Sequence, residues 1–163
     1  MGQIILVTGG ARSGKSAFAE HYAAHAARKH GTSVAYIATS QIYDDEMQQR
    51  VRLHRSRRPA DWTTYEAPYE APEALRKAGE RHGVILFDCI TMFLSNDILQ
   101  YSEEEQQADS FAAHVRARMD DLIHAAQSVD AVTVFVTNEV GTGIVPENRL
   151  ARLYRDMAGL ANQ

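Results

Sequence analysis

Two stretches of this chain carry residue types whose spacing can do phosphate chemistry. Gly9 to Ser16 reads "GGARSGKS" and matches G-x-x-x-x-G-K-[ST] through Gly9, Gly14, Lys15 and Ser16. In that pattern successive backbone N–H groups, those of Gly10, Ala11, Arg12 and Ser13 among them, curl around an anion at the start of a helix. Lys15 reaches the β- and γ-phosphates of a nucleoside triphosphate, and the Ser16 hydroxyl ligates Mg²⁺. Four fixed positions match by chance somewhere in a chain of this length with a probability on the order of half a percent, so a bare glycine turn is the weaker reading. Asp88, which ends the apolar run "VILFD", is a candidate second metal partner, with a helix-capping role as the plain alternative.

The other stretch, Arg50 to Pro59, reads "RVRLHRSRRP", five arginines around one histidine in a chain of net charge -4. Glu46, Arg50 and His54 are four apart and share a face if Asp45 to Arg57 is helical. Arginines neutralise and orient phosphate oxygens, and a neutral imidazole can attack phosphorus. Neighbouring cations disfavour its protonation and keep the lone pair available. Charge alone leaves a nucleophile and a surface residue equally open for His54. The other histidines, His21, His25, His30, His82, His114 and His124, fall on helices or helix ends and read as solvated or packing residues.

The scaffold that must hold these groups is visible as short apolar runs at Ile4 to Thr8, Ser33 to Ala38, Val84 to Asp88 and Ala131 to Thr137. Helical segments separate them: Ser16 to His30, Asp45 to Arg57, Glu70 to Arg81, Ser102 to Ser128 and Glu147 to Ala161. Strands apolar on both faces, alternating with helices, call for a mostly parallel sheet covered on both sides, a three-layer α/β fold. Gly31 is a stop for the first helix, Ser102 with Glu105 makes a capping box, and Pro146 suits the start of the last. Acidic Glu103 to Glu105 in a first turn complement the helix dipole. "EAPYEAP" at Glu66 to Pro72 reads as a loop.

Composition narrows the class. The 163 residues are 45% hydrophobic and 23% charged, ordinary for a soluble domain. Cys89 is the lone cysteine, which excludes an internal disulfide and fits a reducing compartment, so the cytoplasm is expected. The start "MGQIILVTGG" has no basic leader and too short an apolar run for a signal peptide or a membrane span. A pI of about 6.0 argues against general nucleic-acid binding, so the arginines serve a local purpose. The lysines are Lys15, Lys29 and Lys77, and none follows an Asn, so the guanine-reading N-K-x-D element of regulatory GTPases is absent.

Three blocks, "VTGGARSGKS", "YIATSQIYDDEMQQRVRLHRSRRPADW" and "TNEVGTGIVPENRLARLYRDMAGLANQ", together about two fifths of the chain, resemble the bifunctional adenosylcobinamide kinase / adenosylcobinamide-phosphate guanylyltransferase family of cobalamin assembly. The resemblance implies a RecA-like phosphate-loop fold. It implies phosphorylation of the aminopropanol hydroxyl of adenosylcobinamide, then transfer of GMP from GTP to that phosphate with release of pyrophosphate. The family pattern R-I-x-x-H-[RK]-x-x-R-P falls on Arg50, Val51, His54, Arg58 and Pro59, which makes His54 the guanylylated residue. GTP contacts carry over to Gly9 to Ser16, to Ala38, Thr39 and Ser40, to Arg55, Ser56, Arg57 and Arg58, and to Glu66 and Asp88. GTP, with ATP an option for the kinase step, and Mg²⁺ are the implied cofactors, a corrinoid is the substrate, and a homotrimer is the implied assembly.

"TNEVGTGIVPEN" leaves the end of a strand, where Asn138 and Glu139 either shape the site or form a turn. "FDCITMFLSN" fits the family's D-C-[IL]-T, after which a variable helix follows, so corrinoid contacts do not carry over. Family members usually continue for another strand. The chain, ending at Gln163, is therefore expected to be one nucleotide-binding domain over 1–163 without that strand, with an open sheet edge. Two rivals are a phosphate-loop kinase that transfers only the γ-phosphate, with His54 in a substrate clamp, and a nucleotide-binding switch without turnover.

Overall fold

Short apolar runs become the strands of a wholly parallel sheet. The computed structural model describes residues 2–41, 45–140 and 145–163, with the side chains of Glu46 and Arg50 outside the described set. Strands β1 (Gln3–Gly9), β2 (Val34–Ala38), β3 (Thr63–Glu66), β4 (Val84–Asp88) and β5 (Val132–Asn138) pair in the order β1-β5-β4-β2-β3. Helices α1 (Lys15–His30), α2 (Asp45–Arg57), α3 (Ala71–Gly79), α4 (Ile90–Ile98), α5 (Glu103–Gln107), α6 (Ser110–Ser128) and α7 (Arg149–Ala161) complete the described elements.

The two-residue period of a strand divides the core in two. Val34, Tyr36, Val84, Leu86, Val134 and Val136 face α1, whose contribution is the small Ala19, Ala23, Ala26 and Ala27. Alanines let this helix sit close to the sheet. The opposite strand positions, Ala35, Ile37, Ile85, Phe87 and Phe135, pack against α3, α4 and α6, with α7 leaning on the same layer. Phe87 meets Phe93 edge-on and Phe135 at a tilt, and burying each such ring contributes about 1.5–3 kcal/mol. The three-layer α/β phosphate-loop architecture expected from the pattern is the one observed.

Local signals explain most boundaries. Gly31 ends α1 in the left-handed region at φ 62, where its N–H bonds to the last-turn carbonyls. Ser102 and Glu105 form both bonds of the capping box. Beyond Gln107 the expected single helix breaks, because Ala108 is extended (ψ 142), so Ser102 to Ser128 is two helices. The last helix starts at Arg149 rather than Glu147, capped by the Asn148 side chain instead of started by Pro146. Strand β3 and helix α4 stand outside the elements first drawn from the apolar runs. Among the described residues no helix is long and apolar enough to cross a membrane.

Candidate active site

Register along the sheet lines up the residues of interest at one end. Gly9 pairs with Asn138, Asp88 with Val136, and Ala38 with both Asp88 and Glu66. These are the C-terminal ends of all five strands, where open parallel sheets hold ligands. A cleft of about 1160 Å³ opens there, between the loop after β1, the turn after β2, helix α2 and the ends of β3 and β4. Five cationic side chains, Arg12, Lys15, Arg55, Arg57 and Arg58, border it against the carboxylates of Glu66 and Asp88. Five cations thus meet at one cleft on a chain of net charge -4.

The Gly9 to Ser16 segment is a compact turn leading into α1. Ser13 N–H bonds to Gly10 O, Phe18 N–H to Gly14 O, and the Lys15 ammonium donates to Gly10 O at 3.1 Å. Gly14 caps the helix at φ 83, and Arg12 also takes a left-handed conformation at φ 57. A methyl group added at Gly10 or Gly14 would meet nothing within 4 Å, so both positions border open space. At Gly9 it would lie 2.7 Å from the Ser13 hydroxyl, which would have to turn aside. Ala11 to Ser16 line the cleft, whereas Gly9 and Gly10, expected among the nucleotide contacts, are not part of its lining.

Across from the loop, Asp88 is held by a residue the motifs did not flag. The buried Tyr36 hydroxyl donates to Asp88 Oδ2 at 2.8 Å. Burial first, then the Asp88 charge, pushes the Tyr36 phenol far above its usual value, so it remains a donor at any working pH. Arg58 stacks on the Tyr36 ring with its Cζ 3.3 Å from the centroid, and donates to Thr64 Oγ1. The Arg58 Nε is buried and has no hydrogen-bond partner.

Helix α2 brings His54, Arg55 and Arg57 to the same cleft. Arg55 pairs with Glu66 at the end of β3, which ties the arginine-rich turn to the sheet. His54 Nδ1 lies 3.9 Å from Oε1 of Glu20 on α1. The shared face expected for Glu46, Arg50 and His54 involves side chains outside the described residues. Ser56 turns back to Leu53 O and does not line the cleft.

Thr39 also stands behind the cleft rather than in it, while its neighbours Ala38 and Ser40 line the wall. It is fully buried; its hydroxyl donates to Cys89 O and accepts from Cys89 N–H, both at 2.8 Å. Asn138 lines the cleft, and the Glu139 N–H bonds to Gly9 O, which locks the end of β5 to the phosphate-loop strand. Asn96 on α4 donates to Thr39 O and Pro68 O, joining the two loops behind the wall. Sequence reading gave no role to Glu20, Tyr36 or Asn96, although the last two lie at the ends of stretches that bear the resemblance, since each acts through a partner distant in the chain.

Of the remaining histidines, His21, His25, His30 and His124 are exposed, His82 bonds to Ser33, and His114 bonds to Asp97. A smaller apolar groove of about 440 Å³ between α4 and α7, lined by Leu99, Val140, Leu150 and Tyr154, contains neither the Gly9 to Ser16 loop nor the arginines of α2.

Comparison with known proteins gives a consistent picture. The family model described as cobinamide kinase / cobinamide phosphate guanyltransferase matches residues 5–163. The chain is 46% identical over 164 residues to the bifunctional adenosylcobalamin biosynthesis protein CobU of Salmonella typhimurium, and 43% identical over 164 residues to the protein of that name from Escherichia coli K12. Each alignment covers 98% of this chain and 88% of the relative. It is also 39% identical to the bifunctional adenosylcobalamin biosynthesis protein CobP of Pseudomonas aeruginosa, over 97% of this chain and 84% of that one.

Proposed function

Because this chain belongs to the cobinamide kinase / cobinamide phosphate guanyltransferase family, we propose that it performs both reactions of that name in the cleft just described. In the first, the aminopropanol hydroxyl of adenosylcobinamide attacks the γ-phosphorus of a nucleoside triphosphate. The bond to the β–γ bridging oxygen breaks, the hydroxyl proton passes to solvent and the nucleoside diphosphate leaves. In the second, a His54 nitrogen attacks the α-phosphorus of GTP and pyrophosphate leaves. An oxygen of adenosylcobinamide phosphate then attacks the same phosphorus, the N–P bond breaks, and adenosylcobinamide-GDP departs with the imidazole restored.

One observation carries this reading: Ala11 to Ser16 of the loop and His54 border a single cleft, walled by five cationic side chains. Displacement at phosphorus has a highly charged transition state, so its catalysis rests on in-line positioning and charge stabilisation. Loop N–H groups and Lys15 would grip the terminal phosphates. Arg55, Arg57 and Arg58 would hold the α-phosphate near the imidazole. Ala38, Ser40 and Glu66 would border the rest of the nucleotide.

Mg²⁺ fits the donor set. Among the described residues no three His, Cys, Asp or Glu side chains converge on one point, and the cleft offers the Ser16 hydroxyl and the Asp88 carboxylate, the latter oriented by Tyr36. Such a pair suits a cation carried largely by phosphates and water rather than by a protein cage. Bound with the nucleotide, it would neutralise phosphate charge. GTP serves both steps in this reading, with ATP an alternative donor for the first.

The test separates the two phosphorus atoms. Incubation with α-labelled GTP is expected to leave acid-labile label on the wild-type protein, and His54→Ala is expected to lower it by at least ~10³-fold. A γ-only kinase leaves no α-label on either protein, and that result would refute nucleotidyl transfer.

A further inference from the structure

Glu20 and His54 face each other across the space between α1 and α2. Glu20 lies one helical turn beyond Ser16, and its Oε1 stands 3.9 Å from His54 Nδ1. Both atoms are shut off from solvent and neither has a hydrogen-bond partner. Yet the His54 side chain as a whole is 39% exposed. That exposure therefore belongs to the rest of the ring, which leaves Nε2 as the nitrogen available to the cleft. Catalytic hydrogen bonds are often long before substrate binds, and a small side-chain movement closes this one.

We propose that Glu20 is the positioning residue of the nucleotidyl-transfer step. Its carboxylate accepts the Nδ1–H of His54, fixes the tautomer that carries the lone pair on Nε2, and offsets the imidazolium charge that grows as Nε2 bonds to phosphorus. The balance is closed. The Nε2 lone pair forms the N–P bond, the bond from the α-phosphorus to the α–β bridging oxygen breaks, and its electron pair leaves on pyrophosphate. The proton stays on Nδ1, facing Glu20. When the acceptor phosphate attacks, the N–P pair returns to Nε2 and no proton has to move. This inference rests on His54 as the nucleophile and adds which nitrogen acts and what holds the other.

The experiment uses the full chain with ¹⁵N-labelled histidine. Long-range NMR correlations at pH 8 report the His54 tautomer, and nitrogen–phosphorus coupling after addition of GTP and Mg²⁺ reports which nitrogen carries GMP. Glu20→Gln and Glu20→Ala are followed in parallel by α-label incorporation, with melting temperature recorded. The expected results are an Nδ1–H tautomer and GMP on Nε2 in wild type, and label incorporation slowed by ~10²-fold in both variants. Glu20→Asp is expected to recover part of that rate. GMP on Nδ1, or incorporation within ~3-fold of wild type in folded variants, overturns the role of Glu20. Should a variant fail to fold, the wild-type tautomer and attachment atom decide alone. A wild-type protein labelled at some residue other than His54 refutes the nucleophile itself, so the two failures are distinguishable.

Discussion

Burial decides what the lone thiol can do. Cys89 borders the cleft, where its sulfur accepts the Met92 N–H at the start of α4 and meets the Thr91 hydroxyl at 2.9 Å. Loss of solvation, and then the Asp88 charge, push the thiol up to about 11. The sulfur is a helix cap and packing group rather than a nucleophile. Native protein at pH 8 is therefore expected to react with a disulfide reagent at least ~10²-fold more slowly than the urea-unfolded chain. Comparable native and unfolded rates would show the thiol to be open. The sign of the linkage follows: above the unfolded thiol's value the unfolded chain loses its proton first. Stability held at lower pH is thus lost as pH climbs from about 9 toward 11.

Helix α4 is the element that fixes the cleft wall from behind. Its Asn96 amide donates to Thr39 O at 2.7 Å and Pro68 O at 3.0 Å, and the neighbouring Asp97 receives His114 at 2.7 Å and Arg118 at 3.2 Å from α6. Arg118 also reaches Tyr69 O, so the loop after β3 is held from two directions. Asn96→Ala leaves buried carbonyls without that donor. It is expected to cost about 1–3 kcal/mol in urea denaturation and to raise the KM for GTP several-fold as the two loops drift. An unchanged KM would uncouple α4 from the site.

The same elements show how far the sequence can be read. Strands β2, β4 and β5 announced themselves as apolar runs because both their faces are buried. Strand β3, "TTYE", is four mostly exposed residues at the sheet edge and has neither run nor alternation. Helix α4 begins "ITMFL", which suits a strand as well as a helix, and is capped by a thiol rather than by a usual capping side chain. The break at Ala108 carries no glycine or proline to mark it. In the site, the Gly9 to Ser16 motif stood out by its spacing, while His54 was singled out only through the family resemblance, and the structure brings His54 and Ala11 to Ser16 to one cleft. Glu20 and Tyr36 were not legible, because a single glutamate in a helix and a single tyrosine in a strand gain their meaning only when α1, β2 and β4 are brought together.

At the scale of the whole molecule, the parallel sheet does one mechanical job: it delivers five strand ends to one cleft. The phosphate-loop strand and the Asp88 strand are separated by β5, so the loop and the carboxylate stand on either side of Asn138. Helix α2, entering from beyond β2, carries the imidazole and arginines over the gap. In the proposed function, two reactions at different phosphorus atoms of a triphosphate would then need no second site: the loop would grip one end of the phosphate chain and α2 would reach the other.

The most direct measurement is a crystal structure with Mg²⁺ and a GTP analogue whose α–β bridge resists cleavage. The account predicts the terminal phosphates within the Gly9 to Ser16 turn and a His54 nitrogen roughly 3–3.5 Å from the α-phosphorus, opposite the bridging atom. An α-phosphate with no nitrogen in line, and the His54 ring turned out to solvent, would contradict it.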